Sequence, residues 1–400
     1  MKIVDIAEFY AEKGGGVKTY INQKLLAGSK LGHEIVVVAP GAEAGETERN
    51  GGRIIWVPGP ALPVDRRYYI LWRERMVHEI LDREQPDVVE GSSPWTGGWF
   101  AARWKGDAVK AFIFHQDPVA VYPHTILGKF IKSARVDKLF LFYWNYLRRL
   151  SKRYDATIVS GEWLANRLSR FKINNPVTVP FGIDKLFSTP NRRSTELRKI
   201  ILEELGLPED AILMIGISRH HPEKRLGTIF EGFRMASEHR QIGLVIFGDG
   251  PFRWMVKHQA RGIPHIKLMG FKSNREELAD YLASADYFVH GSAAETYGLV
   301  VAEAICSGLP VIVPAHGGAG DLADSEYSEV YEPGDSVDLS KAILRMLDRD
   351  RPAMVRACAV AAEHSIGTLD DHFRMLFETY QNMVDKRKKS GPVTPGSRSV

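Results

Sequence analysis

The sequence is poor in cysteine and has no long hydrophobic run. Two of its 400 residues are cysteines, Cys306 and Cys358, which is too few for a disulfide framework and indicates a reducing compartment. No segment approaches the roughly 18 consecutive apolar residues of a membrane-spanning helix. The first residues pass from a strand-like run into a glycine loop without the apolar segment of a signal peptide. We therefore expect a cytoplasmic protein.

Strong charge and the common cofactor signatures are also missing. The net charge of +4 is too small to indicate binding to nucleic acid. The glycines at 14–16 do not have the G-x-G-x-x-G spacing of a dinucleotide-binding loop. His220 and His221 are adjacent, but no third ligand follows at metal-binding spacing. We expect neither a resident metal nor a cofactor.

Short apolar runs alternate with helical stretches in both halves of the chain. Such runs are typical of parallel sheets that are covered on both faces, and 400 residues are enough for two domains. The pattern predicts an α/β fold in which two Rossmann-like, doubly wound parallel-sheet domains face a cleft. The predicted strands are residues 2–7, 34–39, 87–91, 110–115, 156–160 and 177–180, then 212–218, 243–248, 265–270, 286–291 and 310–314.

The segment 181–191 (FGIDKLFSTPN) is a plausible linker between the two domains. We accordingly place the first domain at 1–185 and the second at 190–367. We further expect a C-terminal helix, 368–386, to complete the first domain. The basic residues 387–400 are rich in proline, serine and glycine, which predicts a disordered tail.

The stretch from 291 to 318 carries the clearest functional signal. Glu295 lies in a predicted loop, and Glu303 lies eight residues later in an apolar run that indicates a buried helix. Gly298 opens that helix, so its free N–H groups and the positive end of its dipole point into the loop. Such a site suits a sugar nucleotide, with the diphosphate at the helix start and an acid on each side to accept hydroxyl protons.

Other loops follow predicted strands at the edge where ligands bind in open α/β sheets. The glycines at 14–16 permit close approach of a phosphate, and Arg219 and Lys224 supply positive charge for a diphosphate. Gly248 stands in a tight turn that bounds the same edge, and His115 ends a strand there. Each feature alone also fits an ordinary turn, a solvated basic loop or a structural histidine.

Residues 129–153 are both basic and aromatic. A basic amphipathic helix can lie on an anionic membrane surface. The alternative, which we favour, is that its aromatic side chains face the core of the first domain.

Together these motifs resemble the retaining glycosyltransferases of family four, also called glycosyl transferases group one, which have the GT-B fold. The family pattern combines a Gly-Gly loop, G-R-x-x-x-E-K, G-x-G-P, and E-x7-E followed by G-x-P-V. Ile217 and Ser218 intervene before Arg219, and Arg225 replaces the usual glycine, but neither departure removes a charge. The matching segments are GGGV (14–17), VPFGID (179–184), ISRHHPEK (217–224), GDGP (248–251), Glu295 to Glu303 and GLPVIV (308–313).

The resemblance implies a role for each matching residue. Glu303 would hydrogen-bond the donor ribose, and Glu295 would contact the hexose hydroxyls. Arg219 and Lys224 would bind the diphosphate, and His115 would lie near the sugar C6. The glycine loop (Gly15 and Gly16) would close over the donor. The backbone groups that would hold the hexose and phosphates belong to Thr296, Tyr297, Gly298 and Leu299.

The resemblance also implies the reaction. A hexose of mannose or glucose type would pass, with retention of configuration and without a metal, from GDP-mannose or a UDP-hexose to an acceptor. We expect a lipid-linked or envelope glycan as acceptor, at the inner face of a membrane, with the protein bound peripherally. Two rivals remain open: a sugar-nucleotide epimerase of the same fold, and a non-catalytic protein that binds sugar nucleotides.

Overall fold

Two parallel-stranded sheets organise the chain. The computed structural model describes residues 1–12, 15–63, 65–114, 116–121, 123, 125 and 133–390. The strands of the first sheet are β1 Lys2–Ile6, β2 Glu34–Gly41, β3 Gly45–Arg49, β4 Gly52–Pro58, β5 Val88–Gly91, β6 Val109–Ile113, β7 Ala156–Val159 and β8 Pro176–Thr178. Those of the second are β9 Ile212–Ile217, β10 Ile242–Phe247, β11 Ile266–Gly270, β12 Tyr287–Val289, β13 Val311–Pro314 and β14 Ser328–Tyr331.

Both sheets are doubly wound. Over the described residues, the strand order is β3-β4-β2-β1-β5-β6-β7-β8 in the first sheet and β11-β10-β9-β12-β13-β14 in the second. Neighbouring strands pair in parallel, with β3 against β4 as the antiparallel exception. The order reverses beside β1 and beside β9, and such reversals open the crevice in which ligands bind. The predicted pair of doubly wound α/β domains is confirmed.

Helices connect the strands and cover the sheets. Side-chain caps fix several helix starts; Ser194, Asn274, Asp335 and Asp350 each accept a backbone N–H of the first turn. None of the described helices combines the length and the apolar composition that a membrane-spanning segment requires. The helices are α1 Gly16–Lys30, α2 Glu74–Glu84, α3 Thr96–Arg103, α4 Pro118–Val121, α5 Ser133–Leu139, α6 Leu141–Ser151, α7 Glu162–Arg170, α8 Thr195–Glu204, α9 Leu226–Ser237, α10 Arg253–Ala260, α11 Arg275–Ser284, α12 Leu299–Cys306, α13 Gly318–Asp321, α14 Ser336–Leu347, α15 Arg351–His364 and α16 Leu369–Ser390.

The hairpin of β3 and β4 was not among the predicted strands. Its two-residue turn is Asn50-Gly51, with φ of 51° and 78°. Two successive positive φ angles define the turn that suits the twist of a hairpin, and Asn-Gly is its usual sequence. The signal for this hairpin was therefore present in the sequence.

The last helix, α16, packs on the first sheet although the second sheet precedes it in the chain. Phe373, Phe377 and Tyr380 are buried in the core cluster that also contains residues of β1 and β2. The helix extends to Ser390, so residues 387–390, which we predicted to belong to a disordered tail, are helical. The reason is tertiary, because Arg387 donates hydrogen bonds to Asp107 and Asp155 of the first domain. Residues 391–400 lie outside the described part of the chain.

The chain crosses between the two sheets twice at one place. Ile183 N donates to Gly367 O at 2.9 Å, and Ile183 and Thr368 form an isolated β-bridge. A Cβ on Gly182 would lie 2.0 Å from Thr368 O, so only glycine fits there. His372 Nδ1 lies 2.7 Å from Pro180 O. A carbonyl can only accept, so Nδ1 carries the proton and Nε2 accepts from the Tyr20 hydroxyl at 3.1 Å.

Acidification is expected to destabilise the protein through His372. Burial lowers the pKa of His372 to about 4, although its hydrogen bond to Pro180 opposes the shift. In the unfolded chain the pKa is about 6.5, so below that pH the unfolded state takes up a proton that the native state does not. The stabilisation is complete above pH of about 6.5 and is lost progressively as pH falls from there to the folded-state value of about 4. It amounts to about 2 kcal/mol between pH 7 and pH 5.

Urea unfolding of wild type and His372→Gln at both pH values measures this contribution as the difference between the two proteins. His258→Gln, on the exposed side of α10, is the matched control and should keep the wild-type pH dependence. An equal loss of stability in wild type and His372→Gln would show that His372 does not carry the effect.

Candidate active site

A cleft of about 1050 Å³ lies between the two domains. Loops that follow β1, β5 and β6 line it from the first domain, and the linker residues 181–184 form part of its wall. Leu299 and Glu303 line it from α12, and Arg275 lines it from the start of α11. Gly16, at the start of α1, belongs to the same lining. The structure thus brings Gly16, Leu299 and Glu303, three of the predicted donor-binding residues, to one cleft.

Gly298 begins α12 as predicted. Its φ of 94° lies in the left-handed region, which glycine adopts without strain. A Cβ at this position would also come within 3.2 Å of Ala319 Cα. Leu299 follows and is 46% exposed, and Glu303 lies one turn further along the helix. Burial raises the pKa of Glu303, with Arg275 opposing and Asp184 reinforcing the shift.

Glu295 pairs directly with Lys224. Lys224 Nζ lies 2.5 Å from Glu295 Oε1, and His290 Nε2 lies 3.4 Å from the same oxygen. Burial raises the pKa of Glu295, but the contacts with His290 and Lys224 outweigh it and hold that pKa well below its usual range. We did not predict that His290 belongs to this site. It follows β12 directly, and a histidine at the carboxyl end of a parallel strand could have indicated such a role.

The loop after β9 presents the predicted cations. Arg219 is exposed, and Lys224 ends a short 3-10 helix, Pro222–Lys224. Ser218 Oγ and both ring nitrogens of His220 are buried without a hydrogen-bond partner among the described residues. A buried polar group without a partner costs about 1–3 kcal/mol, so this loop is less stable than one whose buried polar groups are all paired.

Four further predicted residues divide into three cases. Gly15 and Gly16 have no neighbour within 4 Å of an added Cβ, so packing does not explain these glycines. At Gly248, by contrast, φ is 130° and a Cβ would lie 1.9 Å from Ser218 O, so backbone packing alone requires glycine. His115 lies outside the described residues.

Thr296 and α13 contact the first domain. Ser160 Oγ donates to Thr296 O at 3.2 Å, and Trp163 N donates to Asp321 Oδ2 at 2.7 Å. The carboxylate of Asp321 therefore caps the N-terminus of α7, whose own cap residue is Gly161. A Cβ on Gly161 would lie 2.7 Å from Thr296 O. The loop that carries Glu295 is thus held by both domains.

A buried ion cluster lies beside the cleft in the first domain. Lys24 of α1 pairs with Asp5 of β1 at 2.8 Å and also with Glu90 of β5. Tyr380 of α16 donates to Glu90 Oε1 at 2.6 Å, and Ser92 donates to Asp5 Oδ1 at 2.5 Å. Asp5 and Ser92 also line the cleft. Sequence patterns gave no sign of this cluster, because its members belong to four separate elements.

The described residues contain no group of three or more His, Cys, Asp or Glu side chains that could hold a metal ion. The predicted cations Arg219 and Lys224 lie on the loop after β9 and are not among the residues that line the cleft; Lys224 pairs with Glu295.

The fold and the cleft define the class of protein. Two doubly wound sheets that face a cleft, with the linker and α16 crossing between them, form the GT-B architecture of glycosyltransferases. Sucrose-phosphate synthase from Thermosynechococcus elongatus has the same fold, with a TM-score of 0.72 at 18% identity over 96% of this chain and 100% of that one.

Sequence comparison identifies the family. The model for glycosyl transferases group 1 matches residues 198–363, and the model for glycosyltransferase family 4 matches residues 14–185. The chain belongs to glycosyltransferase family 4, the group 1 glycosyl transferases.

Two of the relatives that match in sequence are bacterial mannosyltransferases. A GDP-mannose-dependent alpha-(1-6)-phosphatidylinositol dimannoside mannosyltransferase from Mycobacterium tuberculosis is 27% identical over 78% of this chain and 79% of its own length. A GDP-mannose-dependent alpha-mannosyltransferase from Corynebacterium glutamicum is 28% identical over 80% and 74%, respectively.

Proposed function

We propose that this protein transfers a hexose, with retention of configuration, from a nucleotide diphosphate sugar to a glycan or lipid-linked acceptor. The observation that carries the proposal is the ion pair of Lys224 and Glu295 at the N-terminus of α12, with Glu303 on the cleft side of the same helix. In this proposal Glu295 contacts the hexose, Glu303 contacts the ribose, and Lys224 and the N-terminus of α12 supply positive charge for the diphosphate. Both relatives named above use GDP-mannose, which makes it the first donor to test.

The chemistry requires stabilisation of a leaving group. As the bond between the hexose C1 and the β-phosphate oxygen breaks, negative charge builds on the diphosphate and positive charge on C1. Arg219, Lys224 and the N–H groups of α12 would stabilise the diphosphate, which is the largest electrostatic need. The acceptor hydroxyl attacks C1 from the face that the phosphate leaves and gives its proton to that phosphate. The sugar keeps its configuration.

The same charges support a reaction without a metal. An arginine fork and a lysine provide the compensation that a divalent cation provides elsewhere. Turnover that survives excess EDTA would support this part of the proposal, and turnover restored only by added Mg²⁺ would contradict it.

Replacing Glu303 with alanine tests the donor site. Loss of the carboxylate is expected to raise the donor KM at least about tenfold, because a hydrogen bond to a charged group contributes about 1.5–3 kcal/mol. Glu326→Ala, exposed and distant in sequence from the site, is the control.

The donor is identified first by a thermal-shift screen of GDP-mannose and UDP-hexoses, since a ligand that binds the folded state raises the stability of the protein. An unchanged donor KM in Glu303→Ala would remove the ribose role.

Membrane attachment is a further part of the proposal. Trp144 and Tyr143 of α6 are buried, which agrees with a core role for these aromatic residues. Leu139 and Phe142, however, are 59% and 68% exposed at the junction of α5 and α6, beside Lys138. Exposed apolar side chains next to positive charge favour an anionic lipid surface. Flotation with anionic liposomes should recover the protein at low salt; its absence from the liposome fraction would remove the membrane from the proposal.

A further inference from the structure

We propose that a second pocket, next to the cleft, binds a sugar unit of the acceptor glycan away from the reacting hydroxyl. This inference rests on the proposed function and names a feature of its acceptor, namely a chain of several sugar units. The pocket lies between α3 and α6 and has a volume of about 350 Å³. That is close to the lower limit of small-molecule sites, about 300 Å³, and suits one or two sugar rings. The aromatic pocket, as we call it, is lined by Trp95, Thr96, Trp99, Phe100, Arg103 and Tyr146.

The aromatic pocket and the cleft adjoin each other at Trp95. Trp95 lines both of them and is 46% exposed. It stands at the end of the loop that connects β5 to α3, next to the reversal of strand order in the first sheet. Thr96, the next residue, lines the aromatic pocket, while its hydroxyl donates to Glu8, which lines the cleft. A chain seated in the cleft can therefore pass over Trp95 into the aromatic pocket without leaving the surface.

The aromatic side chains of this pocket are held in place. Trp99 Nε1 donates to the Tyr146 hydroxyl at 2.9 Å, and that hydroxyl donates to Pro94 O. The guanidinium groups of Arg103 and Arg153 each lie 5.7 Å from the centroid of the Trp99 ring. Rigid aromatic faces bind with little loss of side-chain entropy, since their rotamers are already fixed.

The chemistry of the lining favours a sugar over an acyl chain. A pyranose has an apolar C–H face, which suits the electron-rich face of an indole, and hydroxyl groups around its edge. Arg103 lines the pocket and pairs with Glu74 through Nε and Nη2 at 2.6 and 3.0 Å, which leaves the N–H donors of Nη1 for a sugar hydroxyl. An acyl chain offers no partner to these donors and needs a longer apolar channel.

The test compares acceptor lengths in two variants of the full-length protein. Trp99→Ala removes the central ring, and Arg103→Ala removes a rim group without opening the core. The probes are neutral manno- and gluco-oligosaccharides of one to five units, and the readout is the acceptor KM with a fixed donor. We expect the KM of wild type to fall with chain length. Each variant should raise the KM of the longer acceptors about three- to tenfold and leave that of the shortest acceptor unchanged.

Controls separate this inference from the proposed function. Trp254→Ala, which removes a tryptophan that is 69% exposed on α10 of the second domain, should behave as wild type. A donor-induced thermal shift that is equal in wild type and variants shows that the donor site is intact; if no nucleotide sugar stabilises wild type, the proposed function itself fails. If the donor binds but acceptor KM is independent of chain length, or Arg103→Ala has no effect at any length, the inference is overturned. Binding of lipid vesicles that is lost in the two variants would overturn it in favour of a lipid.

Discussion

Replacement of Lys224 with alanine is expected to reduce the turnover number by about 10²-fold or more. Removal of one preorganised charge that faces a developing anion has effects of this size, because the group stabilises the transition state more than the ground state. Lys224 lies on the short helix after β9, and its ammonium is 2.5 Å from Glu295. Arg219→Ala should have an effect of similar size through the same leaving group. The rate at which nucleoside diphosphate is released measures the turnover number of both variants.

A double variant distinguishes direct from indirect action of Lys224. If Lys224 acts on the diphosphate, adding Glu295→Ala to Lys224→Ala should lower turnover further, because hexose and phosphate contacts are lost separately. If Lys224 only positions Glu295, the double variant should equal Glu295→Ala. Lys267→Ala is the matched control, since Lys267 pairs with Glu204 at 2.7 Å on the surface of the second domain. Near wild-type turnover in both Arg219→Ala and Lys224→Ala would refute the phosphate assignment.

Local patterns were sufficient for the architecture and for the start of α12. Apolar runs predicted most strands of both sheets, and the glycine between two carboxylates predicted the helix start at Gly298. The Asn50-Gly51 hairpin was also readable, although we did not predict it. In each case the deciding interactions act between residues that are close in sequence, or between side chains on one face of one element.

Contacts between segments that are distant in sequence could not be predicted from the sequence. Ser160 and Thr296 are 136 residues apart, and Trp163 and Asp321 are 158 apart. Nothing near either residue in sequence indicates its partner. Gly248 shows the converse, because we predicted that its turn bounds the edge where ligands bind, whereas the space beside it is filled by Ser218 O. A glycine in a turn therefore predicts close backbone approach, but not which partner approaches.

Replacement of Lys24 with methionine is expected to lower the free energy of unfolding by about 3–5 kcal/mol, as when one partner of a buried ion pair is removed. Lys24, Asp5 and Glu90 are at most 2% exposed, so the variant would leave two buried carboxylates without their cation. Burial lowers the pKa of Lys24, but Asp5 and Glu90 outweigh it and raise that pKa, so the ammonium stays charged. Burial raises the pKa of Glu90, with Lys24 opposing and Asp5 reinforcing the shift.

Urea unfolding of Lys24→Met against Lys30→Met, an exposed lysine at the end of the same helix, measures the effect. Adding Glu90→Gln to Lys24→Met should recover part of the loss, because it removes one of the two uncompensated charges. Equal stabilities of the two lysine variants would contradict the assignment. Since Tyr380 donates to Glu90 while Asp5 lines the cleft, the cluster joins α16 to the first-domain wall of the cleft, where we propose that the acceptor binds. We therefore expect Lys24→Met, where it still folds, to raise the acceptor KM and leave the donor-induced thermal shift unchanged.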